Sequence, residues 1–237
     1  MGYYPIFVDL NGRRCLVIGG GPVAERKVEG LLAAGASVTV ISPGLSAHLD
    51  RLASEGRIRH VGRDYTPGDL AGYQLAFVAT DDREVSPAVA REGQARGVWV
   101  NAADDPARCD FILPAIVRRG ALVVAVSTGG ASPALTRAIR DELEAYFSAD
   151  YTALADIVAE VRQELKGGER APDAEGWRRA LDADLRRLVA EGRREEAKAH
   201  LLERLGAAVR AADRPGAGAP ADEASEIRRS PPCEASR

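Results

Sequence analysis

Cysteine is scarce in this chain of 237 residues: Cys15, Cys109 and Cys233 are its only three. They are far apart, odd in number and without C-x-x-C spacing, so a disulfide framework is excluded and reduced thiols are expected. Metal ligation by these thiols is not expected, and His48, His60 and His200 show no mutual ligand spacing, so each is read as a surface or packing residue. No apolar run approaches the ~20 residues of a membrane-spanning helix. The amino-terminal MGYYPIF lacks the basic, apolar and small-residue succession of a secretory signal. An excess of one charge is also missing: the formal net charge is −3, which gives no general attraction to nucleic acid or to an anionic membrane. A cytoplasmic protein with neither partner is expected. No internal repeat is visible.

What the chain does have is concentrated in residues 14–42, RCLVIGGGPVAERKVEGLLAAGASVTVIS. Cys15, Leu16, Val17 and Ile18 form an apolar run suited to a strand buried on both faces. A glycine turn follows, then Val23, Ala24, Val28, Leu31 and Leu32 as the apolar stripe of a helix on a sheet. Gly35 ends that helix, and Val38, Val40 and Ile41 begin the next strand. The spacing of small residues is G-x-G-x-x-A. Gly19 allows the tight turn, Gly21 lets backbone approach a pyrophosphate, and Ala24 lets helix and strand pack closely. Pro22 suits the first helical position because it has no N–H to leave unpaired, and the free amides that follow it, from Val23 onward, face an anion. Dinucleotide binding is the reading; the alternative is that the glycines only make a turn.

One part of that pattern is absent. About 20 residues past the glycines, an acidic residue usually meets the adenosine ribose, but here the second strand ends Ile41-Ser42-Pro43-Gly44. Ser42 is the candidate for a ribose hydroxyl, with Pro43 and Gly44 lining the adenine side. No arginine follows directly to meet a 2′-phosphate, so NAD is preferred to NADP.

Further along, a helix is expected around 45–53, a third strand at 58–61 and a fourth at 75–79, ending in Thr80-Asp81-Asp82. In open α/β sheets ligands bind beyond the carboxyl ends of the strands, which makes Thr80 and Asp81 candidates for cofactor contact. They are equally candidates for capping the helix expected at 84–96. A fifth strand at 98–100 leads into Asn101-Ala102-Ala103-Asp104-Asp105-Pro106. The regular alternation implies an α/β fold with a parallel, Rossmann-like sheet. Beyond Pro114 it stops: paired strands are expected at 115–118 and 122–126, then a helix from Pro133 with Ser132 as its N-cap. From 149 to 210 only helices are expected. Their narrow stripes are expected to need the sheet domain or a second subunit to pack on. The apolar lead-in Tyr4-Pro5-Ile6-Phe7-Val8 is expected to pack beside the sheet. The tail, 211–237, is expected to be disordered.

Several strings now stand in one order: Pro5-Ile6-Phe7, Gly19-Gly20-Gly21-x-Val23-Ala24-x-Arg26-Lys27, Ala79-Thr80-Asp81-Asp82, Asn101-x-x-Asp104-x-Pro106, Phe111-Ile112-x-Pro114 and Ser127-x-Gly129-Gly130-x-Ser132-Pro133. On these the chain resembles the precorrin-2 dehydrogenase and sirohydrochlorin ferrochelatase family of siroheme biosynthesis, which also forms the amino-terminal part of multifunctional siroheme synthase. The resemblance covers residues 1–145. It implies NAD-dependent oxidation of precorrin-2 to sirohydrochlorin, in many members followed by insertion of Fe2+, and a cytoplasmic homodimer. It implies a Rossmann domain at 1–113, a dimerisation segment at 114–148 and an all-helical C-terminal domain at 149–210. Uroporphyrinogen methylation is then expected from another protein.

Oxidising a reduced tetrapyrrole removes a hydride and a proton, so the protein must orient the substrate and receive the proton. Asp104 is the candidate: it follows a strand end and matches the family's functional aspartate, whereas Asp105 before Pro106 reads as a turn residue. The same carboxylate could take pyrrole protons as iron enters. A substrate with many carboxylates calls for cations, and Arg108, Arg118, Arg119, Arg137 and Arg140 are the candidates, with Asn101, Thr128 and the backbone of Gly129 and Gly130 beside them. Two rivals remain. One is a dehydrogenase of the same fold for a small acid; the other is a non-catalytic NAD(H)-sensing module.

Overall fold

The structure is a computed structural model and describes residues 2–103, 105–166 and 172–212. Five strands form one parallel sheet: β1 (Arg14–Ile18), β2 (Ser37–Ile41), β3 (Arg59–Val61), β4 (Leu75–Val78) and β5 (Trp99–Ala102), in the order β3-β2-β1-β4-β5. β1 is central, with Ile18 opposite both Ile41 of β2 and Val78 of β4. Its apolar run is buried, and alternation divides it between two cores. Cys15 and Val17 pack with Ala24, Val28 and Leu31 of α1 (Pro22–Ala33) and with Leu49 and Leu52 of α2 (Ala47–Ser54). Leu16 and Ile18 pack with Val89 of α3 (Val85–Arg96) and with Leu70. Helices therefore cover both faces, the doubly wound form of an α/β fold. Burial pushes the Cys15 thiol up to about 11, which keeps it protonated and unreactive at neutral pH.

Two expectations are corrected here. The lead-in does not pack beside the sheet: Tyr4 is 85% and Phe7 75% exposed, and only Leu10 reaches the core. Both faces of the sheet already carry helices. Nor do Thr80 and Asp81 cap α3. That helix begins at Val85, out of their reach, and Glu84 stands at its N-cap without a side-chain bond. Asp82 Oδ1 instead accepts the Glu84 amide at 2.9 Å, and Thr80 Oγ1 accepts the Asp82 amide at 3.3 Å.

Beyond the sheet, β6 (Ala115–Arg119) and β7 (Leu122–Val126) form a two-stranded sheet, followed by α4 (Pro133–Tyr146). Ser132 Oγ accepts the Leu135 amide at 3.2 Å, the expected N-cap. Then come α5 (Asp150–Leu165), α6 (Ala174–Ala180), α7 (Ala183–Ala190) and α8 (Arg194–Ala212). These helices do not need another surface to bury their stripes. Ile157, Val161, Leu185, Leu201 and Leu205 are fully buried in a core that also takes Trp177 and Ala180 of α6, a helix the sequence stripes had not included. Arginines of this unit lie on the outside in ion pairs, Arg178 on Glu175, Arg187 on Asp184 and Arg193 on Glu191 and Glu196.

The chain divides into two compact units, one of residues up to 115 with 125–139, the other of 116–124 with residues 140 onward. The tail expected from 211 falls outside the described residues after Ala212, the last residue of α8. No helix among the described residues is long and apolar enough to cross a membrane.

Candidate functional site

The strand order reverses at β1, which has β2 on one side and β4 on the other, and at such a point the loops leaving neighbouring strands part to form a crevice. The glycine turn stands there. Gly19 has φ +117°, its amide donates to Ile41 O at 2.9 Å, and a Cβ on it would lie 2.0 Å from Ala79 O in the loop after β4. Both conformation and space therefore demand glycine. Gly21 is different: nothing lies within 4 Å of where its Cβ would be. That open side adjoins the start of α1, where Pro22 occupies the first turn and no side chain caps the helix. Unpaired amides and the positive end of a twelve-residue helix make this an anion site. Ala24 is fully buried against the sheet, and Val23 is half-buried.

Gly20 has a role that spacing alone did not reveal. A Cβ there would lie 2.0 Å from Gly44 O and 2.8 Å from Ser42 Oγ, while Gly20 O accepts the Ser46 amide at 2.8 Å. Ser46 also caps α2 and hydrogen-bonds Glu25 of α1. The run of three glycines was the available signal. Ser42 is buried, and its hydroxyl donates to Gly44 O at 2.7 Å; its own carbonyl meets His60 Nε2 at 2.9 Å. Pro43 and Gly44 are exposed on the same loop. Thr80 is half-buried and Asp81 exposed beyond β4.

The loop after β5 is tied down by three side chains. Asn101, 8% exposed, gives its amide to Phe111 O at 2.9 Å. Asp110 Oδ2 accepts the Val100 amide at 2.8 Å. Cys109 Sγ accepts the Ala102 amide at 3.2 Å. Burial raises the Cys109 thiol above its ordinary value, Asp105 and Asp110 add to this, and the Ala102 amide and Lys27 oppose it. Phe111 meets Phe77 edge to face, with ring centroids 5.6 Å apart, and Lys27 Nζ lies 5.7 Å from the Phe77 centroid. Asp104 itself lies outside the described residues.

The arginine candidates have different surroundings. Arg108 pairs with Asp105. Arg119 gives Nε to Phe147 O at 2.6 Å and Nη2 to Glu144 O at 2.9 Å, so it holds the end of α4. Arg140 pairs with Asp141 at 2.5 Å. Arg118 and Arg137 are exposed, without an ion pair among the described residues. Thr128 Oγ1 accepts the Ser132 amide at 3.0 Å and shares a hydrogen bond with Thr136 Oγ1 at 3.0 Å; Gly129 and Gly130 follow with φ +63° and +88°. His48 and His200 sit against Glu29 and Asp182. Among the described residues no group of three His, Cys, Asp or Glu is placed to hold a metal ion.

Comparison with known proteins bears on this geometry. The family "Putative NAD(P)-binding" matches residues 6–115, and "Sirohaem biosynthesis protein central" matches 119–146. The siroheme synthase of Chromobacterium violaceum is 42% identical over 221 residues, 92% of this chain and 46% of that protein. The siroheme synthase of Methylobacillus flagellatus is 50% identical over 162 residues, 68% of this chain and 35% of that protein. A solved structure titled "SirC, precorrin-2 dehydrogenase" superposes with a TM-score of 0.72 at 28% identity, covering 86% of this chain and all of the other. The chain is similar to the amino-terminal part of siroheme synthase. It spans less than half the length of those curated relatives. The glycine turn, the open side of Gly21 and the uncapped start of α1 all lie within the stretch matched as NAD(P)-binding.

Proposed function

We propose that this chain oxidises precorrin-2 to sirohydrochlorin with NAD. The observation that carries the reading is the switch-point crevice, with Gly21 open beside an uncapped helix start, in a chain similar over its length to a precorrin-2 dehydrogenase. The residues there fit a dinucleotide: Gly19, Gly21, Pro22, Val23 and Ala24 receive the pyrophosphate, and Ser42, Pro43, Gly44, Thr80 and Asp81 line the adenosine and nicotinamide sides. When bound, the nicotinamide accepts the hydride. Asp104 takes the proton on its carboxylate, a reading supported by its place between Ala103, whose amide is held by Val78 O at 2.9 Å, and Asp105. The groups assigned to the substrate carboxylates are Arg108, Arg118, Arg119 and Arg137, with Asn101, Thr128, Gly129 and Gly130; of these Asn101 and Arg119 serve by holding the backbone at Phe111 and at the end of α4.

Incubation with precorrin-2 and NAD should yield one NADH for each sirohydrochlorin formed; an unchanged tetrapyrrole spectrum overturns the reading. Asp104→Asn should lower kcat by roughly a hundredfold or more while leaving NAD affinity intact. Insertion of Fe2+ as a substrate is the second activity, favoured by the name siroheme synthase that the relatives share. A rate above the uncatalysed background with purified sirohydrochlorin tests it. The working form is a cytoplasmic homodimer built on residues 114–148, with 1–113 as the NAD domain and 149–210 as the helical domain. Sedimentation should give twice the monomer mass.

A further inference from the structure

Beside the core of the helical unit lies an open cleft of about 600 Å³, a size common to small-molecule sites. Its walls are apolar: Val158 and Leu165 of α5, and Trp177 and Leu181 from α6 and its end. Its charged groups are both cations, Arg162 on the same face of α5 and Lys166 just past that helix. Among the described residues no acid joins them in the lining. Elsewhere in this unit cations are mostly paired: Lys198 reaches Glu164 at 2.6 Å and Arg178 reaches Glu175 at 2.8 Å. Arg162 and Lys166 have no carboxylate partner among the described residues, and the Trp177 indole N–H has no hydrogen-bond partner there. An indole, aliphatic walls and two cations one helical turn apart complement a flat apolar ring that carries a negative charge.

We propose that this cleft is a binding site for a small aromatic carboxylate, with the ring against Trp177 and Leu181 and the carboxylate between Arg162 and Lys166. The site lies within the helical unit and does not depend on the dehydrogenase reading. The sequence contains two tryptophans, so Trp99→Phe in the full chain leaves Trp177 as the only indole reporter. Titration of that variant with naphthoate should give saturable quenching with a single site. Arg162→Gln with Lys166→Gln should weaken binding roughly tenfold, as should replacing naphthoate by the uncharged naphthyl methanol. Added salt should weaken binding to the parent but not to the double variant. Both cations are exposed, so circular dichroism of the double variant should be unchanged. Quenching that does not saturate, or equal affinity for the neutral analogue or the double variant, overturns the proposal.

Discussion

Three consecutive glycines serve three different ends. Gly19 and Gly20 are closed off by the backbone of the loops after β4 and β2, while Gly21 faces open space. Gly19→Ala and Gly20→Ala should each destabilise the sheet unit by about 2–3 kcal/mol, because the atom met is backbone and cannot swing away. Gly21→Ala should leave stability within about 0.5 kcal/mol and weaken NAD roughly tenfold. Urea unfolding and calorimetric titration separate the two effects. Spacing in the sequence was enough to single out Gly19 and Gly21, since the motif is local. It could not single out Gly20, whose constraint comes from Gly44, 24 positions on. The same holds for Ser42 and Asn101. Their side chains are polar and well placed in sequence, but only the folded neighbours show that one bonds Gly44 O and the other Phe111 O.

Among the elements, the connection from β3 to β4 was the least legible, because residues 62–74 have neither helical nor strand periodicity. It is organised from outside, by Glu92 of α3. That carboxylate accepts Tyr65 Oη at 2.6 Å, the Gly68 amide at 2.9 Å, the Leu70 amide at 3.2 Å and Arg96 Nε at 2.7 Å. Burial raises its pKa, but the hydrogen bonds from Tyr65, Gly68, Leu70 and Arg96 outweigh burial and hold it below the ordinary glutamate value. A carboxyl lowered in the folded state stabilises fully above its unfolded pKa, and that contribution is lost as pH falls through the folded value. Glu92→Gln should therefore cost about 1–3 kcal/mol near neutral pH, with the difference from the parent shrinking toward acid. Urea midpoints across pH measure this. The strands themselves were legible within one or two residues at most ends, because burial on both faces leaves unbroken apolar runs.

For the whole molecule, two units that each bury a core of their own imply two unfolding events. The sheet unit and the helical unit each bury their own aliphatic residues, and calorimetry should resolve two transitions. NAD at about a hundredfold excess over its Kd should add about 2.7 kcal/mol to the first alone; a single transition, or equal shifts of both, contradicts this. Periodicity revealed the class of each half, yet not that the helical half has a core of its own. Three narrow stripes suffice because a fourth helix, carrying Trp177 and Ala180, closes them. The strand-end loops carry a last consequence. Gly19 N on Ile41 O and Ser46 N on Gly20 O join the turn to the end of β2 and the loop beyond it, and Ser42 Oγ on Gly44 O braces that loop, with no ligand required. Under the proposed function the nucleotide meets a turn that is already built, so its capture is governed by diffusion and charge, with little ordering entropy to oppose it.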